Sequence, residues 1–494
     1  MNKFFNISVR ILTGIILGII FLGMFFSSFI DYYGKNDLLV SNLVLFIFVI
    51  IVSIIFFLVS KKIKLNFNID RAVLIIDILL LIYQIFMGLN TYFVTGWDAG
   101  GLIDMAINRG FYINYMSTYP NNLLLLYIEI FIARINGLLG IFKGDVASKY
   151  IIFLLLNIVI NNITCLLTYK CACLYLNKKY ALLCYILGVL LFGISPWTIV
   201  FYSDSVGILF PILIFCLYSI PKFKEVKKPN VYTLLLVLIG IFAYFIKPQC
   251  VIILIAIVFY EMFSNFKNKK KLLKIGLCML LSILCISPIQ KGLIYIARYA
   301  NAPLDSEKAF GPAHYLMMGL NVDSGAGYSQ DDVNFSQSFS TKSERNKANL
   351  NECVNRIQNM GFSGLMEHLF KKALKIFNDG TFAWGNEGNF YNITVENNSA
   401  SAKLLRSIYY TDGDNYKYFN VFEQFMWLLV FTFVMASIIK KPSDSKSILL
   451  LAILGLTLFE LLFEARARYL YTYLPIFCLV AGFGIKDIRT SLIK

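Results

Sequence analysis

Apolar runs of about 20 residues recur from one end of this 494-residue chain to the other, and they restrict its folding more than any other feature. The hydrocarbon core of a bilayer takes about 20 apolar residues of helix to cross. Inside it no water can satisfy a free backbone amide or carbonyl, so segments of this kind close their hydrogen bonds within a helix. Apolar residues make up 58% of the chain and charged ones 15%, against about 45–50% and about 25% in soluble domains. The expected fold class is therefore an all-α polytopic membrane protein. Soluble enzymes, nucleic-acid binders and disordered scaffolds are excluded.

Charge gives the orientation. The chain carries 45 Lys and Arg against 29 Asp and Glu, a formal net charge of +16. In a membrane protein such an excess reflects the retention of Lys and Arg in cytoplasmic loops. Basic clusters fall at Lys61, Lys62, Lys64 and Arg71, at Lys178 and Lys179, and from Lys222 to Lys228. Others fall from Lys267 to Lys274, at Lys440 and Lys441, and at the C-terminal end; all can share one side with Lys3 and Arg10. With that side inside, spans are predicted near 10–30, 39–60, 71–90, 150–175, 181–200 and 206–220. Further spans near 231–246, 250–264, 275–296, 421–439, 447–463 and 470–485 bring the count to twelve crossings. The first run lacks a small-x-small cleavage pattern and is expected to be a retained helix rather than a signal peptide. Segment 120–141 has the length to cross, but counting it would throw the later Lys clusters outside. It also carries Glu129 and Arg134, which are costly in lipid. A partial or tilted helix packed in the bundle is expected there.

Four units follow: two N-terminal spans in 1–70, a membrane core in 71–296 with an outer loop at 91–119, a polar segment at 297–420, and the last spans in 421–494. The polar segment is expected to form a small extracytoplasmic helical cap. Within it, Leu350, Val354 and Ile357, then Leu365, Leu369 and Leu374, mark apolar faces of a helix over 343–377 interrupted at Gly361. Nearly all of the ten cysteines lie in or beside apolar runs, Cys353 excepted, and the only histidines are His314 and His368. Neither a disulfide framework nor a His-rich metal site is expected.

Several polar residues stand at the outer ends of spans. Asp98 sits in Thr95-Gly96-Trp97-Asp98-Ala99-Gly100-Gly101, with Asp104 beyond it; Tyr119-Pro120-Asn121-Asn122 follows. Asp204 lies in Phe201-Tyr202-Ser203-Asp204-Ser205. Lys247 in Ile246-Lys247-Pro248 and Arg466 and Arg468 in Glu464-Ala465-Arg466-Ala467-Arg468-Tyr469-Leu470 are cations on the side facing away from the basic clusters. Cations there suit an anionic head group such as a phosphate. Each taken alone is equally a turn residue or a snorkelling anchor.

In this order along the chain the motifs resemble the GT-C superfamily of membrane glycosyltransferases, which use polyprenyl-phosphate sugars. The protein O-mannosyltransferases, aminoarabinose transferases and Gram-positive cell-envelope members are the branches resembled. Ala313-His314-Tyr315-Leu316-Met317-Met318-Gly319-Leu320 and Phe382-Ala383-Trp384-Gly385-Asn386-Glu387-Gly388 resemble segments of the Gram-positive members. The resemblance implies a GT-C-like bundle of about 12 helices that moves a sugar from a polyprenyl-phosphate donor to a cell-envelope acceptor. That acceptor would be a teichoic acid, another wall polymer, a lipid-linked glycan or a protein, on the outer face of a bacterial cell membrane, with no nucleic acid involved. Asp98 would be the catalytic base and Asp204 the second acidic residue. Lys247, Arg466, Arg468, Glu464, His314, Tyr119, Asn121 and Asn122 would hold the donor, its lipid phosphate or the acceptor. Two N-terminal spans precede the span that leads to Asp98, where the family usually has none before it, and Asp98 has no acidic neighbour to complete a paired-carboxylate metal site. A divalent cation, magnesium or manganese, stays an open expectation. A flippase for lipid-linked saccharides and a polysaccharide polymerase or ligase are the alternative activities; transporters usually show related halves, and none is seen here.

Overall fold

A computed structural model describes residues 2–492 apart from 36, 63–66, 300, 386–392 and 441–442. Lys64, Lys441 and the Asn386-Glu387-Gly388 end of one resembling segment lie outside the described residues. The chain is an all-α polytopic membrane protein. Among the described residues, nine helices are long and apolar enough to cross a membrane, and three shorter apolar helices accompany them.

Contacts between helix ends divide the bundle into two faces. At one, Arg10 Nε donates to Ile438 O at 2.6 Å and Asn6 to Asp444 at 2.8 Å. On the same face Lys178 pairs with Asp70 at 2.5 Å, Lys222 and Lys271 with Glu261 at 3.1 and 3.0 Å, and Lys446 with Asp487 at 2.8 Å. The described members of the basic clusters thus gather on one face, as the charge pattern implied. The described residues between 301 and 415 cover the other.

Helix Leu123–Leu139 does not follow its composition. It packs on helix Pro229–Ile246, and in its N-terminal half Tyr127 Oη donates to Leu293 O at 2.6 Å, near the cap-side end of helix Lys269–Tyr299. Its C-terminal end meets Ala106 and Arg109 at one end and Lys149, in the first turn of helix Val146–Tyr175, at the other. Both ends therefore belong to the cap side, and the helix lies across the bundle as the charge pattern required. Leaving it aside, the eight other long helices, the three shorter ones and the unit from Lys178 to Gly193 correspond to the twelve spans expected from the sequence.

That last unit loosens into a π-turn at Val189–Gly193. Neighbouring helices take up the carbonyls it frees: Gln84 Nε2 donates to Gly193 O at 2.6 Å and Asn161 Nδ2 to Phe192 O at 3.1 Å. Polar side chains in a bundle often secure broken helices in this way. Asn157 Nδ2 then donates to Thr198 O and Val200 O at 2.9 and 3.1 Å, fixing the loop that leads to Asp204.

The cap contains helices Pro312–Gly319, Gln330–Gln337, Lys342–Phe377 and Ala400–Tyr409. The long helix breaks at Gly361, whose φ of 61° suits a residue without a Cβ. Its C-terminal half packs inward, with Leu374 buried against the first span near Gly23. The expected face of its N-terminal half is instead turned outward, leaving Leu350, Val354 and Ile357 exposed while Arg345, Asn349 and Cys353 are buried. Hydrogen bonding decides this: the Arg345 guanidinium donates to the carbonyls of Ser336, Glu307 and Phe339 at 2.8, 2.6 and 2.8 Å. The polar segment also does more than cover the bundle. Phe382, Ala383 and Trp384 dip into the core beside Trp197 and Trp427, and Trp197 Nε1 donates to Thr381 O and Phe382 O at 3.1 Å each.

Candidate active site

Asp98 owes its place to a tight turn. Phe93 and Val94 pair antiparallel with Thr394 and Ile393, tying the loop to the cap. Thr95 Oγ1 then accepts from Gly100 N at 2.7 Å. A Cβ on Gly100 would fall onto the Thr95 carbonyl, so only glycine closes this turn without displacement. Asp98 becomes the first residue of helix Asp98–Asn108, where the helix dipole favours negative charge. It faces a cavity of about 360 Å³ lined also by Thr95, Trp97, Asp104, Met105 and Tyr115. Water reaches the carboxylate, yet protein crowds it from most directions. That crowding raises its pKa, against the lowering effects of Arg468, a hydrogen bond from Tyr115, and Arg466. Asn122 Nδ2 donates to Tyr115 Oη at 2.9 Å, and Tyr119 packs on the Tyr115 ring with centroids 5.1 Å apart. Asp104 lines the same cavity despite its offset along the helix, and is engaged by Asn108 at 2.6 Å and by Tyr112.

Asp204 stands beside this recess, buried, in the short helix Ser203–Gly207. Ser205 Oγ accepts from Tyr202 N at 3.1 Å and donates to Val200 O at 2.5 Å, which starts the helix. Lys247 Nζ donates to Asp204 Oδ1, and Arg468 Nε lies 3.6 Å from Oδ2. Pro248 forces Lys247 into an extended conformation at the end of its helix, aiming the side chain inward. Both cations rest on aromatic faces: Lys247 is 4.1 Å from the Tyr469 centroid and Arg468 4.4 Å from that of Trp97. Tyr202 meets Trp97 edge-on at 5.0 Å.

The third component is the loop before helix Leu474–Leu492. Arg466 Nε donates to Glu464 Oε1 at 2.7 Å, and Tyr469 Oη to Oε2 at 3.3 Å. Burial raises the Glu464 pKa, but Arg466 and Arg468 outweigh it and hold the group below the ordinary glutamate value. The cap clamps this loop. Ala465 N donates to Ala326 O at 2.7 Å, and Lys372 Nζ bridges Gly319 O and Phe463 O.

Asp98, Asp204, Lys247, Glu464, Arg466, Arg468, Tyr119 and Asn122 thus converge on one end of the bundle. Asn121 is exposed and donates to Asn122 Oδ1 at 3.2 Å. His314 is not in the recess. It is buried inside the cap, stacked on Phe310 with centroids 4.0 Å apart, with Nδ1 2.7 Å from Ser336 Oγ. Its neighbour Tyr315 turns toward the recess instead: burial raises its pKa, and Tyr119, Glu464 and Asp98 act in the same direction. Sequence reasoning passed over Trp97, Tyr115, Tyr202, Tyr315 and Tyr469. The usable signal was an aromatic within two residues of a charge in Trp97-Asp98, Tyr202-Ser203-Asp204 and Arg468-Tyr469. Among the described residues no three His, Cys, Asp or Glu side chains come together as a metal-holding group. Asp204 already faces two cations, an environment that does not suit a divalent ion.

A family model described as "CHIM_prot: Conserved hypothetical integral membrane protein" matches residues 3–488. No curated protein matches the chain. Among solved structures, the archaeal oligosaccharyltransferase AglB from Archaeoglobus fulgidus, in complex with an inhibitory peptide and a dolichol-phosphate, is similar at 12% identity and a TM-score of 0.41. The match covers 84% of this chain and 50% of that one. The Archaeoglobus fulgidus oligosaccharyltransferase in complex with zinc and sulfate gives 12% identity, a TM-score of 0.41, and coverages of 84% and 49%. The chain spans about half the length of these proteins, an overlap too loose to transfer a residue or an activity.

Proposed function

The chain belongs to this family of conserved integral membrane proteins, and on that premise we propose that it is a GT-C-type glycosyltransferase using a polyprenyl-phosphate sugar as donor. One observation carries the reading: a water-accessible carboxylate with a raised pKa, Asp98, lines a recess whose Trp97 wall carries the Arg468 guanidinium, and Arg468 in turn shares Asp204 with Lys247. Transfer of a sugar to a hydroxyl needs a base at the acceptor and positive charge at the departing phosphate. Asp98 takes the acceptor proton as the acceptor oxygen bonds to the anomeric carbon. The bond from that carbon to the phosphate oxygen breaks, and the lipid phosphate leaves with the electron pair toward Arg468, Arg466 and Lys247. Direct displacement inverts the anomeric centre. Asp204 acts as a positioning residue that holds Lys247 and Arg468 between their aromatic faces. Asn122 does the same for Tyr115, and through it for Asp98. The acceptor belongs to the cell envelope: a wall polymer, a lipid-linked glycan or a protein. Gathering of Lys and Arg on the face opposite the cap supports an extracytoplasmic recess in a cell membrane.

Asp98→Asn tests the assignment, because it preserves size but cannot accept a proton. In single-turnover transfer from a labelled polyprenyl-phosphate sugar in nanodiscs, the rate should fall about 10²–10⁴-fold, while donor binding and thermal stability persist. An unchanged rate in a folded Asp98→Asn protein would remove Asp98 from the mechanism.

A further inference from the structure

Helix Asp98–Asn108 connects two cavities. Its first two turns and Met105 line the recess described above, and about 12–16 Å from Asp98, at 1.5 Å per residue, Ala106, Ile107 and Arg109 line another. This second cavity is about 240 Å³. Arg109 comes from the end of that helix, Arg134 from helix Leu123–Leu139, Lys143 from the loop after it, and Lys149 from the first turn of helix Val146–Tyr175. Four cations from four consecutive pieces of chain therefore surround one space, and no carboxylate lines it. Among the described residues none of the four makes an ion pair.

The carboxylates close by have other tasks. Asp145 caps helix Val146–Tyr175 by accepting from Ser148 N at 2.8 Å, and Asp104 is engaged by Asn108 and Tyr112. The loop is built rather than slack: buried Asn136 donates to Phe142 O at 2.8 Å and accepts from Phe142 N at 2.9 Å. Gly140 and Gly144, at φ 61° and 107°, let the chain fold around this bracket. Beside the cations the surface is apolar, with Phe131, Leu138, Leu139 and Ile141 exposed at 64, 87, 67 and 53%. Asp145 offsets part of the charge on Lys149, yet it does not line the cavity, so four cations of one sign face the space and would attract an anion into it. The adjacent exposed apolar side chains offer a surface on which the hydrocarbon part of an anionic lipid can lie.

We propose that this cavity is a second ligand site, which seats the phosphate of an anionic membrane lipid, with the lipid's chains lying on Leu138, Leu139, Phe131 and Ile141. Arg109 and Arg134 supply planar forks for phosphate oxygens, and Lys143 and Lys149 supply point charges. The site is separate from the Asp98 recess and does not depend on a transferase activity. Its effect would be to hold the helix bearing Asp98 level with the head groups.

The test is native mass spectrometry of the whole protein released from phosphatidylcholine nanodiscs doped with phosphatidylglycerol or, separately, with polyprenyl phosphate. The intact protein should retain at least one phosphate lipid in preference to phosphatidylcholine. The variant with R109Q, R134Q, K143Q and K149Q should lose that preference by about 10-fold or more, since each cation near a lipid head group contributes. The charge-keeping variant with R109K, R134K, K143R and K149R should retain it, which separates charge from folding. The more strongly retained lipid identifies the source of the phosphate. Equal retention of phosphatidylcholine, undiminished preference in the Gln variant, or loss in the charge-keeping variant would each overturn the site. Complete competition by millimolar inorganic phosphate would overturn the lipid assignment, because the apolar surface would then contribute nothing.

Discussion

Replacing Lys247 by Met removes one ammonium group and keeps the length of the apolar stem, so it isolates the charge in the recess. Lys247 is 8% exposed and Asp204 1%, so the pair is shielded from water. Breaking a buried ion pair by deleting one member generally costs about 3–5 kcal/mol, because the surviving charge is left without a counter-ion. Here Arg468 Nε remains 3.6 Å from Asp204 Oδ2 and keeps part of the compensation. The expected cost is therefore at the low end, about 3 kcal/mol. The interaction of the ammonium with the Tyr469 ring, 4.1 Å away, is lost as well and, being desolvated, contributes about 2 kcal/mol of that figure. Adding Asp204→Asn to Lys247→Met removes the stranded carboxylate and should recover much of the loss. A double-mutant cycle should return a coupling energy at the upper end of about 0.5–3 kcal/mol. The measurement is reversible unfolding in mixed detergent micelles, with all four proteins compared at one pH. If Lys247→Met costs under about 1 kcal/mol and the double variant simply sums the single effects, the two groups are not a coupled buried pair. The placement of Asp204 as the holder of the cations would then fall.

Three further outcomes follow from the geometry. Gly100→Ala should destabilise by about 1–3 kcal/mol because its Cβ meets the Thr95 carbonyl, whereas Gly101→Ala, one residue on, meets open space and should be neutral or stabilising; equal melting temperatures would contradict the turn. Burial lowers the His314 pKa from 6.5 to about 4, so the unfolded chain binds this proton first, and acidification from pH 6.5 toward 4 should weaken the cap by roughly 3 kcal/mol. Hydrogen-exchange protection in helix Pro312–Gly319, after division by the intrinsic exchange rate at each pH, should fall over that window in the wild type but not in His314→Asn, and equal pH profiles would exclude the histidine as the cause. Single cysteines at residues 104 and 330 in a cysteine-free background should react with an impermeant maleimide on whole cells while one at residue 270 stays protected; labelling of residue 270 from outside would reverse the orientation.

Membrane residence, the approximate spans and the sidedness of the basic clusters were legible in the chain because each depends on local composition. A run of about 20 apolar residues has few ways to satisfy its backbone in lipid, and Lys-rich ends are costly to translocate. That Asp98, Asp204, Lys247 and Arg468 stand at the same end of the bundle was legible too, since each interrupts apolar surroundings at the outer end of a predicted span. What those charges do to one another was not legible. Asp204 lies 43 residues from Lys247, and their pairing depends on where two loops meet. Tyr315 rather than His314 faces the recess because helix Pro312–Gly319 is rotated by its packing on Phe310 and the loop at Phe463. Likewise, Arg345 took the inner face of its helix from Leu350 by finding three carbonyls, which no periodicity in the sequence could announce. The four cations around the second cavity read along the chain as scattered surface charges. Only the packing of the C-terminal end of helix Leu123–Leu139 beside the C-terminal end of helix Asp98–Asn108 brings them together, because electrostatic contacts act through space and the tertiary fold alone sets those distances.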